Sequence, residues 1–153
     1  KHKQNLLITG PTGTGKTYLA CALAHQACLQ GFSAKYCRLP RLFQDLTLAK
    51  GDGSYTSLMK ALAKTQLLIL DDWGLTTLTN EQRRDLLEIM DDRHVQTSTL
   101  VTSQIPLNLW HEVIADPTLG DAILDRLVHN AHKLELTGES LRKKQQNHLL
   151  KEE

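Results

Sequence analysis

A chain of 153 residues fits one domain and is long enough to bury a core. Its 18 basic and 17 acidic side chains leave a formal charge of +1, so global charge neither supports nor excludes a nucleic-acid partner, and any basic footprint is local. No apolar run reaches the length of a membrane-spanning helix, no signal peptide is visible, and Cys21, Cys28 and Cys37 show no C-x-x-C spacing, which points to buried free thiols and a reducing compartment.

The chain opens on Lys1-His2-Lys3, without a methionine, a few residues before its first apolar strand. The expectation is a fragment lacking its N-terminal region. Asn5 to Thr9 reads as that strand, and Tyr18 to Leu29 continues as a helix from about Lys16 to Gln30. Between them Gly10-Pro11-Thr12-Gly13-Thr14-Gly15-Lys16-Thr17 fits G-x-x-x-x-G-K-[ST] at every specified position. Strand, glycine loop and helix in that order is the context this phosphate-binding motif requires. The glycines let successive N–H groups point inward at a phosphate. The helix adds its unpaired N–H groups and the positive end of its dipole. Lys16 is expected to reach the β- and γ-phosphates, and the Thr17 hydroxyl to ligate Mg²⁺. The nucleotide-binding set is Gly10 to Thr17 together with Tyr18, and the ligand is ATP or ADP with Mg²⁺.

Gly31 suits the end of the first helix. Phe32 to Arg38 reads as a second strand, with Phe32, Ala34 and Tyr36 on one face. Pro40 suits the start of a helix carrying Leu39, Leu42, Phe43, Leu46 and Ala49. Lys50-Gly51-Asp52-Gly53-Ser54 is a turn cluster, and Ser57 to Lys64 a short helix. Leu67-Leu68-Ile69-Leu70 suits a central parallel strand, buried on both faces and ending in Asp71-Asp72. Thr79 caps a helix from Asn80 to about Arg93, with Gln82 completing a capping box. Ser98 to Thr102 reads as a strand. A loop and short helix carry Leu109, Trp110, Val113 and Ile114, a helix spans Gly120 to Asn130, and Lys133 to Thr137 is the last strand. Glu139 to Glu153 is a charged tail or helix. Alternating strands and helices predict an α/β fold with a central parallel sheet and right-handed crossovers, with the ligand beyond the carboxyl ends of the strands.

Asp71 sits where a buried strand delivers a carboxylate toward Mg²⁺, directly or through water. Asp72 is the candidate for orienting the attacking water. The alternative for the pair is a turn with a helix cap. Gln104, and after it Ser103, are the candidates for sensing the γ-phosphate, against a plain turn before Pro106. Arg126 can supply a guanidinium to a neighbouring subunit's phosphate, or pair with Asp121, Asp125 or another carboxylate of its own chain. Arg142 contacts phosphate, DNA or a neighbour, or is simply solvated. His129 and His132 lack the partners of a zinc set.

With these residues in place the chain resembles an AAA+ ATPase, and within that group the IstB-like ATP-binding proteins, helpers of bacterial insertion-sequence transposases. The phosphate loop, LLILDDWG at Leu67–Gly74, VTSQIP at Val101–Pro106, DAILDR at Asp121–Arg126 and GESLR at Gly138–Arg142 carry the resemblance. DnaC-type helicase loaders share the core and are the alternative. A small P-loop kinase is a third class, for which no acceptor pocket or lid is visible.

The resemblance implies a P-loop AAA+ core over residues 1–138, with a tail at 139–153 in place of a full helical lid. It implies Walker A residues Lys16 and Thr17, Walker B acids Asp71 and Asp72, a first sensor at Gln104 or Ser103, and an arginine finger at Arg126. Arg142 is a weaker second-sensor candidate. It implies ATP-dependent self-association, with duplex DNA and a cognate transposase as partners, in the bacterial cytoplasm. Asp72 stands where AAA+ proteins usually carry Glu, which suits slow ATP hydrolysis stimulated by DNA or a partner. The segment Leu39 to Lys64 matches a helical insertion that helps related proteins bind DNA. Its Arg41, Lys50, Lys60 and Lys64 are candidates for phosphate-backbone contacts.

Overall fold

The computed structural model describes residues 3–137. The sequence readings at Gly138–Arg142 and along 139–153, Arg142 among them, lie outside the described residues.

The elements run β1 (Asn5–Thr9), α1 (Lys16–Leu29), β2 (Ala34–Arg38), α2 (Leu39–Asp52), α3 (Tyr55–Lys64), β3 (Leu67–Trp73), α4 (Asn80–Arg93), β4 (Ser98–Ser103), a 3-10 turn (Leu107–Leu109), α5 (Trp110–Ile114), α6 (Pro117–Val128) and β5 (Ala131–Glu135). The strands form one parallel sheet in the order β2-β3-β4-β1-β5. This is the expected α/β architecture.

Strand alternation builds the layers. Ile8, Ile69 and Leu100 face α1, where Ala20 packs on them. Leu7, Leu68, Leu70 and Val101 point the other way, into the larger core under α2 to α6. Leu68, Ile69 and Leu70 are wholly buried, as a central strand covered on both faces requires.

Two devices fix the helices. Thr79 and Gln82 make the expected capping box on α4, with Gln82 N–H donating to Thr79 Oγ1 at 3.2 Å and Thr79 N–H to Gln82 Oε1 at 3.0 Å. Arg93, at the end of α4 and only 2% exposed, donates to the carbonyls of Leu62 and Thr65 at 2.6 Å each, to Ser98 O at 2.5 Å and to Thr99 Oγ1 at 2.9 Å. A cation at the carboxyl end of α3 also suits that helix dipole. Burial pulls the Arg93 pKa down to about 10, so the group stays charged at neutral pH.

Several boundaries differ from the sequence reading. α2 runs through Lys50, Gly51 and Asp52 and stops only at Gly53, because its buried face continues through Leu46 to Ala49. α6 starts at Pro117, since Asp116 caps it by accepting the Leu119 N–H at 2.8 Å. β5 spans Ala131–Glu135, set by pairing with β1. Cys21 and Cys28 are exposed rather than buried. They do share one side of α1, but its packed stripe runs through Lys16, Ala20 and Ala24, about 100° away.

Candidate functional site

The phosphate loop leaves the carboxyl end of β1 and turns straight into α1. Gly10 donates its N–H to Ser103 O at 3.1 Å, which ties the loop to β4. A Cβ on Gly10 would lie 2.5 Å from Leu136 O, at φ +155°, so this approach admits only glycine. Gly15, at φ +89°, turns the chain into the helix with no side chain capping the first N–H groups. Those groups are the ready-made anion site of the motif. Lys16 is nearly buried and folds back on the loop, donating to Gly10 O at 2.7 Å and Pro11 O at 2.9 Å. Burial lowers its pKa, against the opposing pull of Asp71 and Asp72. Tyr18 follows on the first turn of α1, 80% exposed.

Asp71 is the hub of the site and is buried. Thr17 Oγ1 lies 3.2 and 3.1 Å from its two carboxylate oxygens. The Tyr36 hydroxyl donates to Oδ2, and the Thr102 hydroxyl to Oδ1. Burial, and then the hydrogen bond to Asp71, push the Tyr36 phenol well above its ordinary pKa. Thr17 and Asp71 present oxygen donors of the hard kind that Mg²⁺ prefers. Among the described residues no group of three or more His, Cys, Asp or Glu side chains is placed to hold a metal. The Thr17 and Asp71 oxygens would suit a Mg²⁺, which takes few protein ligands.

Asp72 leaves the strand differently. In the β3–β4 register Leu70 pairs with Val101 and Trp73 with Ser103, so β3 carries one extra residue at this point. Such a bulge re-aims side chains and is common beside active sites. Asp72 takes φ +66°, a conformation that Asp tolerates better than most residues. Its N–H donates to Thr102 Oγ1 at 3.1 Å and its carboxylate meets Arg38 of β2. Trp73 then returns to the core face, 1% exposed, with its ring 5.1 Å from that of Trp110.

Ser103 is buried and donates to Trp73 O at 2.7 Å, so its hydroxyl holds the ends of β3 and β4 together. Gln104, the next residue, is exposed just past β4. Of the two sensor candidates, only Gln104 has its side chain outside the packed strands.

Arg126 pairs with Asp91 of α4 and donates to Ala122 O at 2.9 Å. The carbonyls of Arg126 and Leu127 accept from Asn5, at the amino end of β1. The phosphate loop follows the other end of that strand, five residues on, or roughly 16 Å. Of the basic candidates, Lys50 bridges to Glu81 at 2.7 Å and Asp85 at 2.9 Å and sits over the Tyr55 ring. Lys50 is thus engaged by two acids of its own chain. Arg41 makes an exposed pair with Asp45 at 3.3 Å. Lys60 and Lys64 are exposed one turn apart on α3.

Sequence reasoning missed Arg38, Tyr36 and Thr102. The available signal was polarity at strand ends: Thr102 follows Leu100-Val101 just before the carboxyl end of β4, where the ligand was expected.

The family model described as IstB-like ATP binding protein matches residues 1–149. The insertion sequence ATP-binding protein y4pL of Sinorhizobium fredii is 58% identical over 141 residues, covering 92% of this chain and 58% of that protein. The chain thus spans little more than half the length of that relative. Among solved structures, DnaI superposes with a TM-score of 0.80 at 23% identity, over 90% of this chain and 75% of that one. A DnaA replication initiator bound to AMPPCP and single-stranded DNA gives 0.76 at 19%, over 97% and 45%. These likenesses establish the P-loop AAA+ fold. No helix among the described residues is long and apolar enough to cross a membrane. By the extent of the family match, the chain belongs to the IstB-like ATP-binding proteins.

Proposed function

We propose that the chain is the ATPase core of a DNA-binding regulator, which assembles on duplex DNA with ATP and recruits or activates a transposase. The loop N–H groups and Lys16 hold the phosphates. Thr17 and Asp71 hold Mg²⁺, which when bound neutralises charge building on the phosphoryl group. Asp72 orients the attacking water, and Gln104 meets the γ-phosphate or that water. Hydrolysis is slow in the isolated core, because Arg38 holds Asp72 and Arg126 pairs with Asp91 of its own chain. Arg41, Lys60 and Lys64 contact the DNA backbone. The insertion-sequence name of the relative supports transposition over helicase loading.

The observation that carries the assembly is the distance of Arg126 from its own phosphate loop. An arginine on α6 serves ATP only across a junction between subunits, where such a group is worth orders of magnitude in rate. Sedimentation of the full-length protein with duplex DNA tests it, comparing ATP plus Mg²⁺ with ADP. Large ATP-dependent complexes are expected for the parent and not for Arg126→Ala. A protein that stays monomeric and off DNA under ATP overturns the proposal. So does rapid turnover that is indifferent to DNA.

A further inference from the structure

We propose that Tyr36 and Thr102 are positioning residues for the divalent cation: they grip the Asp71 carboxylate in the orientation that receives Mg²⁺. This rests on Thr17 and Asp71 being the Mg²⁺ residues of the site. It is independent of assembly, DNA or turnover.

Asp71 is only 3% exposed, so its carboxylate must find its partners inside the chain. It finds three hydroxyls from three elements: Thr17 of α1, Tyr36 of β2 and Thr102 of β4. An ionised carboxylate only accepts, so all three must donate. The Thr102 proton has its direction set. Its oxygen already accepts the Asp72 N–H at 3.1 Å, which leaves its own proton for Asp71 Oδ1. Tyr36 takes Oδ2. The two hydroxyls therefore hold the two oxygens from the strands on either side of β3. A carboxylate held this way cannot rotate about its last bond without breaking a hydrogen bond. Thr17 can direct its proton to Asp71 and keep a lone pair for the cation.

Tyr36 and Thr102 stand outside the phosphate-loop motif and outside the acidic pair. Their effect on a cation is indirect, through the orientation of Asp71. Hydrogen-bond partners of this kind typically change metal affinity by about 10- to 100-fold.

The test is the Mg²⁺ concentration at half-maximal binding of a fluorescent ADP analogue, after stripping with chelator. The proteins are the parent, Tyr36→Phe, Thr102→Val and Thr102→Ser. Tyr36→Phe and Thr102→Val are each expected to raise the Mg²⁺ midpoint about tenfold. Thr102→Ser restores the hydroxyl and returns the midpoint to that of the parent. In Tyr36→Phe nucleotide affinity in chelator stays at the parent value and the free protein stays folded, with a thermal midpoint lowered by loss of the hydrogen bond to the buried Asp71. Unchanged midpoints in Tyr36→Phe and Thr102→Val overturn the proposal. A Thr102→Ser protein as impaired as Thr102→Val also overturns it, and so does a parent that binds nucleotide equally well with and without Mg²⁺. Should Thr102→Val fail to fold, Tyr36→Phe decides alone, because Tyr36 is 41% exposed and loses only its hydroxyl. A parent that binds Mg²⁺–nucleotide but never assembles on DNA overturns the proposed function and leaves this inference standing.

Discussion

The Arg38 guanidinium closes on the Asp72 carboxylate, with Nε and Nη2 each 2.8 Å from Oδ2. The pair links the edge strand β2 to the acid proposed to orient water. Half of the Arg38 side chain is open to solvent, so the pair is screened and breakable. Arg38→Met is expected to raise basal ATP turnover several-fold, since Asp72 is then free to meet water. The thermal midpoint is expected to stay put. Added salt should raise parent turnover in the same direction. Turnover of Arg38→Met below that of the parent would assign Arg38 to phosphate binding instead.

Lys50 and Lys64 separate in a DNA titration. Lys50 is held by Glu81 and Asp85, whereas Lys64 is exposed. Lys64→Ala is expected to weaken duplex binding and flatten the salt slope by about 0.9. Lys50→Met is expected to leave that slope unchanged. Measuring affinity across salt concentrations checks both.

Arg93 ties α3, α4 and β4 together from inside the protein. Arg93→Met leaves the carbonyls of Leu62, Thr65 and Ser98 without this donor. The expected loss is about 3 kcal/mol of unfolding free energy, read from urea denaturation. A loss under about 1 kcal/mol would mean that water replaces the guanidinium.

Val95 adopts φ +52° between α4 and β4, where a β-branched side chain is strained, and it is 57% exposed. Val95→Asn is expected to raise stability by about 1 kcal/mol, measured in the same urea experiment. Nucleotide binding should not change.

The phosphate loop and the acidic pair were legible because each lies within a few consecutive residues. Their neighbours were not, because they meet through sheet register. Arg38 pairs alongside Asp71 only once β2 has docked on β3, and nothing within either segment announces that alignment. The spacing of Cys21 and Cys28 correctly put them on one side of a helix but could not say which side meets the sheet. The buried stripe of α2 ends at Ala49, so the exposed Lys50 to Asp52 that finish the helix carry no apolar signal, and Gly51 and the capping Gly53 read as a turn. At α6 the Asp116-Pro117 start signal was present and was passed over in favour of Gly120.

The extra residue in β3 separates two demands on one strand. Up to Leu70, and again from Trp73, side chains alternate into the same core. Between them the count slips by one, so Asp72 is excused from that alternation. Substitutions at position 72 are therefore expected to leave the Trp73–Trp110 contact in place. Deleting the extra residue would restore regular pairing, with Trp73 still opposite Ser103 on the core face, and would remove only the position that stands outside the alternation.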